Sequence, residues 1–264
     1  FDKRSKFVHY LPEVTLINNI EFDHADIFKD LGQIQTSFRH LIGLVPRNGL
    51  LVVNEDDENI VPLLDIDHCS VKRFGLGDAK AVTHSLRGVN FIVDGFQFNL
   101  PMYGELNVWN ALGVITVGRY CGLADEQIQS GFETFEGIKR RMEVCGEANG
   151  VTIVDDFAHH PTAIRETLKA AKVRFPARRL WAVFEPRSNT TRRNIFQDEL
   201  AGAFIDADQV ILSEIARLEK IPKSERLDPE KLMNELQHAG KKCSCLLGAG
   251  AIIDYIESHA ESGD

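Results

Sequence analysis

Val154-Asp155-Asp156-Phe157-Ala158-His159-His160-Pro161-Thr162 closes an apolar run on two carboxylates and two imidazoles, and an amphipathic segment follows. A strand that stops on polar side chains and hands over to a helix places them at its carboxyl end. That is where open α/β sheets bind their ligands. Pro161 suits the first helical position, where its missing N–H costs nothing. Ile164, Leu168, Ala171 and Phe175 recur at helical spacing along the predicted helix 162–175.

The same alternation continues downstream. Strands are predicted at 151–154, 180–184, 209–212 and 244–247, with helices at 162–175, 194–204, 229–239 and 250–259. Such a series implies a mostly parallel sheet with helices on both faces. Upstream, EVTLINNI reads as a buried strand, 30–44 as a helix with Leu31, Ile34, Phe38 and Leu41 on one face, and 50–53 as a strand. Between 69 and 100 the short alternating runs SVKRFGL, AVTHSLRG, VNFIVDG and FQFNLP predict antiparallel strands. Helices are predicted at 108–121 and 125–135, and 137–150 is the expected boundary zone. The fold class is therefore α/β: a domain with a mixed sheet over 1–143, then a Rossmann-like, doubly wound domain over 144–264.

Bulk properties narrow the function. A length of 264 residues suffices for two domains, and 44% hydrophobic with 26% charged residues is a globular composition. A net charge of −9 argues against nonspecific nucleic-acid binding and for a small-molecule or protein partner. No apolar run is long enough to span a bilayer, and FDKRSKFVHY lacks a signal peptide's apolar core. The five cysteines are scattered, without C-x-x-C, which suits reduced thiols in a cytoplasm. Cys243 and Cys245 are expected to be packing residues. Phe1 is an implausible natural start, so the chain is expected to be a fragment.

Several stretches carry groups suited to chemistry. Glu21, Asp23, His24 and Asp26 follow the Asn18-Asn19 end of a strand; they fit either a divalent ion beside a phosphate or a solvated acidic loop. Asn107 and Asn110, three apart at a helix start, fit either the polar edge of adenine or ordinary capping. Lys139-Arg140-Arg141-Met142-Glu143 is either a solvated charge run or a phosphate contact, a task that guanidinium performs through two parallel bonds. His159 and His160 fall at a helix N-terminus. Capping and contact with an anionic substrate are both favoured there over proton transfer. Phe184-Glu185-Pro186-Arg187-Ser188-Asn189-Thr190-Thr191-Arg192-Arg193 again joins a strand to a helix. Gly248-Ala249-Gly250 is a tight turn; it lacks the third glycine and the later acidic residue of a dinucleotide motif.

The wording of these stretches resembles the Mur ligases, ATP-dependent enzymes that build peptidoglycan precursors. NNIEFDHAD resembles the family's N-[IV]-x-x-D-H-x-D, GELNVWNA its G-x-H-N-x-x-N-A with Leu106 in place of the histidine, and VDDFAHHPT its V-D-D-Y-x-H-H-P-T. By this resemblance His24 helps bind Mg2+, Asn107 and Asn110 contact the adenine of ATP, and Arg141 and Asp156 belong to the nucleotide site. His24, Arg141 and Asp156 are then the residues tied to catalysis. FEPRSNT and FDKRSKFVHY are similar to one branch of the family, which acts in peptidoglycan recycling. That branch joins a murein tripeptide, L-alanyl-γ-D-glutamyl-meso-diaminopimelate, to UDP-N-acetylmuramate through an acyl phosphate. It makes Arg187, Asn189 and Arg192, with His159 and His160, the expected substrate contacts. Ligation of L-alanine to UDP-N-acetylmuramate, and a non-catalytic nucleotide- or peptide-binding module, are the alternatives. No Gly-Lys-Ser/Thr occurs in the chain. The family's phosphate loop and N-terminal domain are therefore expected to lie upstream of Phe1, and the 264 residues alone are expected to be inactive.

Overall fold

A computed structural model describes residues 5–264; Phe1 and the start of FDKRSKFVHY lie outside the described residues. The chain forms two compact units, Phe1–Phe135 and Glu136–Asp264.

In the first unit β1 (Val14–Ile17) is followed by α1 (Leu31–Gly43), β2 (Leu50–Asn54) and β3 (Ser70–Phe74). The three strands form a parallel sheet in the order β1-β2-β3. All of β2 is buried because it is the middle strand and both its faces are covered. Leu50 and Val52 point into one core, which includes Phe74, Val108, Leu112 and Ile115, while Leu51 and Val53 point into another with Ile17, Ile34 and Ile42. The Asp30 side chain accepts a hydrogen bond from the Gln33 amide and so fixes the start of α1. SVKRF thus departs from the expected run of antiparallel strands. As β3 it pairs parallel with β2, since its Phe74 is needed in the core under that sheet.

β4 (Lys80–Ser85), β5 (Gly88–Val93) and β6 (Phe96–Leu100) form the antiparallel sheet that the alternation predicts. Phe91 and Phe98 stack at 5.9 Å, and Phe132 meets Phe98 edge-on at 6.0 Å. α2 (Glu105–Tyr120) and α3 (Asp125–Thr134) complete this core. The Arg119 guanidinium grips Asp125 at 2.8 and 2.9 Å and Asp94 at 2.6 Å. The hydrogen bond from Arg119 holds the Asp125 carboxyl below the usual carboxylate range. A folded-state value below the unfolded one means that the native state binds fewer protons between the two. The contribution of Asp125 is therefore fully present above about pH 4 and is lost as the pH falls below that, through the depressed folded-state value. Urea midpoints should show Asp125→Asn less stable than the parent at pH 7, with the gap closing on acidification. A gap that stays constant down to about pH 2 would contradict this linkage.

In the second unit β7 (Glu143–Ala148) and β8 (Val151–Asp155) form an antiparallel hairpin. Its turn is Asn149-Gly150, with φ of 52° and 78°, the left-handed pair that closes tight hairpins. The expected boundary zone 137–150 therefore contains a strand. After α4 (Pro161–Arg174) come β9 (Trp181–Phe184), α5 (Gln197–Ala203), β10 (Gln209–Ser213), α6 (Pro229–His238), β11 (Lys242–Leu246) and α7 (Gly248–His259). β9, β10 and β11 run parallel in the order β11-β10-β9.

Phe184, Val210 and Leu212 face Ile164, Leu168, Leu200, Leu232 and Leu236 of α4, α5 and α6. On the other side of β10, Gln209 bonds to the Tyr255 hydroxyl of α7 at 3.1 Å. The sheet is covered on both faces, as the sequence pattern implies. Cys243 packs against the main core, whereas Cys245 is exposed, which corrects the expectation that both pack. Among the described residues no helix is long and apolar enough to cross a membrane.

Candidate functional site

Within the first unit the polar groups collect where β1 ends and α2 begins. Gly104, at φ 87°, turns the chain into α2 and sets Asn107 and Asn110 one helical turn apart. Asn110 Nδ2 donates to Asn107 Oδ1 at 3.2 Å, and Asn107 Nδ2 donates to the Tyr103 carbonyl at 2.7 Å. Asn18, at the end of β1, donates in turn to Asn110 Oδ1. Its own Oδ1 is buried and has no partner among the described residues. An unmatched buried acceptor is costly in a folded chain, and a bound ligand or water is one way to satisfy it. Asn18 is the residue that sequence reasoning missed. The Asn18-Asn19 pair was visible, but its link to position 110 was not. Leu106, at the place of the family's histidine, is exposed.

The loop after β1 is anchored by Asp57, which accepts from the Ile20 amide at 2.8 Å, and by Asn59, which donates to the Ile20 carbonyl at 2.7 Å. His24 sits farther along it at φ 54°, an infrequent conformation for a non-glycine residue. The Asp23 carboxylate holds the His24 amide at 2.6 Å, and the His24 carbonyl accepts from Ile27 and Phe28. The ring is exposed. Among the described residues no group of three or more metal-ligating side chains assembles. The loop's carboxylates, Glu21, Asp23 and Asp26, are oxygen donors of the kind that magnesium takes.

Within the second unit Asp156 is committed to the backbone. Oδ2 accepts from the Met142 amide at 2.8 Å; Oδ1 accepts from the Ala158 amide at 2.8 Å and the Thr167 hydroxyl at 3.3 Å. This places Arg141 beside the aspartate pair. The Arg141 guanidinium is exposed, and among the described residues no hydrogen bond or ion pair engages it. His160 is the N-cap of α4: Nδ1 accepts from the Thr162 amide at 3.3 Å, and the ring meets Phe196 edge-on at 4.6 Å. His159 Nδ1 lies 2.9 Å from the Phe157 carbonyl. His160→Ala should cost about 1 kcal/mol of stability while His160→Asn, which keeps an acceptor, costs less. Thermal unfolding of the two variants measures this, and equal losses would remove the capping role.

The loop after β9 is braced from inside. Ser188 Oγ and Thr191 Oγ1 lie 2.9 Å apart, and Thr190 and Thr191 are buried. Arg192 donates to Asn189 Oδ1 at 2.6 Å, to the Ser188 carbonyl at 3.2 Å and to the Ala216 carbonyl beyond β10 at 3.4 Å. Arg187, on the same loop, is exposed and carries no hydrogen bond or ion pair among the described residues. The loop thus divides its arginines: Arg192 is spent on the loop's own shape, and Arg187 is presented.

Comparisons with known proteins give the family. The family described as Mur ligase middle domain matches residues 2–118, and Mur ligase, glutamate ligase domain, matches 140–264. The chain is 41% identical over 226 residues to UDP-N-acetylmuramate--L-alanyl-gamma-D-glutamyl-meso-2,6-diaminoheptandioate ligase of Escherichia coli, covering 83% of this chain and 50% of that protein. It is 34% identical over 272 residues to UDP-N-acetylmuramate--L-alanine ligase of Acetivibrio thermocellus, covering 98% and 57%. The crystal structure of a murein peptide ligase from Psychrobacter arcticus superimposes with a TM-score of 0.68 at 32% identity, covering all of this chain and 55% of that one. The chain spans about half the length of the curated relatives it matches. With both domain families matched along it, the chain belongs to the Mur ligase family.

Proposed function

We propose that the chain is part of an ATP-dependent amide ligase that joins L-alanyl-γ-D-glutamyl-meso-diaminopimelate to UDP-N-acetylmuramate. The observation that carries this is the 41% identity to the Escherichia coli ligase of that specificity. Residues 1–143 would then be the later part of the central ATP-binding domain, and 144–264 the peptide-binding domain. Such an enzyme works in the bacterial cytoplasm, in keeping with free cysteines.

The proposed chemistry has two steps. The lactyl carboxylate of the sugar nucleotide takes the γ-phosphoryl group of ATP, giving an acyl phosphate and ADP. The α-amine of the tripeptide's alanine then attacks the acyl carbon, and the tetrahedral intermediate expels phosphate. Asn107 and Asn110 hold the adenine through their amides, kept in register by Asn18. Arg141 faces the phosphates with its unengaged guanidinium. His24 would hold magnesium in part, and the ion would supply neutralisation of phosphate charge. Asp156 takes part in the nucleotide site from beside Arg141. Arg187 receives a carboxylate of the peptide, Asn189 and Arg192 shape its loop, and His159 and His160 line the approach at the start of α4.

The test compares tripeptide and L-alanine as acceptors for the full-length enzyme, following ADP release. Faster turnover with tripeptide supports the proposal. A preference for L-alanine would assign the enzyme to the other relative's specificity, and ADP release with neither would leave a nucleotide-binding module.

A further inference from the structure

Residues 140–142 form a short strap whose conformation is unusual. Arg140 and Met142, neither a glycine, both lie in the left-handed region, at φ 59° and 51°, with Arg141 between them. Such conformations are disfavoured for side chains of this size, and they persist where surrounding contacts over-determine them. Both ends of the strap are tied. The Arg140 amide donates to Glu143 Oε2 at 2.7 Å, and its carbonyl accepts from the Phe157 amide at 2.9 Å. Its guanidinium donates to Asp155 Oδ2 at 3.0 Å and lies 4.9 Å from the Phe157 ring centroid. The Met142 amide donates to Asp156 Oδ2 at 2.8 Å, and its carbonyl accepts from Arg174 at 2.5 Å. Arg141 makes one backbone bond, to the Ile138 carbonyl at 3.2 Å, and its side chain is left exposed.

We infer that Asp155 and Asp156 are positioning residues, which clamp the strap on either side of Arg141 and so aim its guanidinium at the nucleotide phosphates. The inference rests on the phosphate role of Arg141 proposed above and gives the aspartates a different task from direct contact. The carboxylate of Asp156 already accepts from two amides and a hydroxyl. Asp155 is tied to Arg140, not to Arg141. A strap held at both neighbours needs little reorganisation when phosphate arrives, and preorganised charge is what stabilises a transferring phosphoryl group.

The strap contains Lys139, Arg140 and Arg141, so trypsin reports its mobility directly. In the first arm, Asp155→Asn and Asp156→Asn are made in the full-length ligase. Cleavage at the strap should rise about tenfold in each, as the strap opens more often. Asp155→Asn is the safer variant for folding, because both partners of its ion pair are about half exposed. In the second arm, Asp155→Asn is combined with Arg141→Ala in the full-length ligase. Alone, Asp155→Asn should lower kcat/KM for ATP about tenfold; in the Arg141→Ala background it should cost less than about twofold.

Unchanged cleavage would overturn the clamp. Equal costs in both backgrounds would overturn action through Arg141 and show that the aspartate meets the nucleotide itself. If Arg141→Ala alone leaves ATP kinetics unchanged, the phosphate role of Arg141 fails and the positioning role falls with it. The cleavage arm separates that outcome from failure of the clamp.

Discussion

Replacing Arg187 by alanine in the full-length ligase is expected to lower kcat/KM for the tripeptide about 100-fold, with KM for ATP changed less than about twofold. The argument starts from the loop after β9. Arg192 spends its donors on Asn189, on the Ser188 carbonyl and on the Ala216 carbonyl, so the loop is shaped before any ligand arrives. Arg187 spends none, and its planar fork matches a carboxylate through two parallel bonds. Removing one partner of a desolvated, hydrogen-bonded charge pair costs about 2–5 kcal/mol, and the low end of that range is already a thirtyfold effect or so. Arg187→Lys keeps the charge and loses the fork, so it should recover only part of the activity. Arg192→Ala should behave differently: it loosens the loop, lowers thermal stability and weakens tripeptide binding together. Steady-state kinetics with peptide and ATP varied separately would decide. Tripeptide parameters unaltered in Arg187→Ala would sink the assignment.

That division of labour between two arginines five residues apart was not legible in FEPRSNTTRR. The sequence shows guanidinium groups near a strand end, but which one is consumed locally depends on Ala216, beyond the next strand. Elements with strong local signals were legible. The helix and strand alternation after position 150 follows from apolar spacing and from Pro161 at a helix start. β7 was missed although its signal was present. Asn149-Gly150 is a strong hairpin dipeptide, but EVCGEA is mostly exposed and shows no apolar alternation. β3 was assigned to the wrong kind of sheet because pairing direction depends on β2, some twenty residues earlier, and not on the strand's own residues. The site followed the same rule. Asn107 and Asn110 are neighbours in sequence, so their pairing at 3.2 Å could be expected from helical spacing. Asn18 lies 92 positions from its partner, and that pairing could not. Asp156 was found as a residue of interest, but its three acceptor contacts needed the fold to bring residues 142 and 167 to it.

Asn110→Ala should raise KM for ATP about 100-fold in the full-length ligase and shrink its preference for ATP over GTP. An amide can match both the donor and the acceptor on the polar edge of adenine. A site built on such matching rejects a base whose edge is reversed, because the site's own polar groups are then left unpaired. The structure adds direction to this. Asn110 takes a bond from Asn18 and gives one to Asn107, which is itself tied to the Tyr103 carbonyl. The amides are thereby oriented before a base arrives, and orientation decides whether an amide presents its oxygen or its nitrogen. Asn18→Ala should consequently act at second hand. KM for ATP rises about tenfold, and discrimination against GTP falls more than overall activity does, because Asn110 becomes free to rotate. Asn18→Asp keeps an acceptor and removes the donor to Asn110, so it should resemble Asn18→Ala and not the parent. Rates measured with ATP and GTP across the three variants test the chain link by link. Equal ATP/GTP ratios in the parent and Asn110→Ala would remove α2 from nucleotide recognition. A ratio altered by Asn110→Ala but untouched by either Asn18 variant would leave Asn110 in place and discard only its tether to β1.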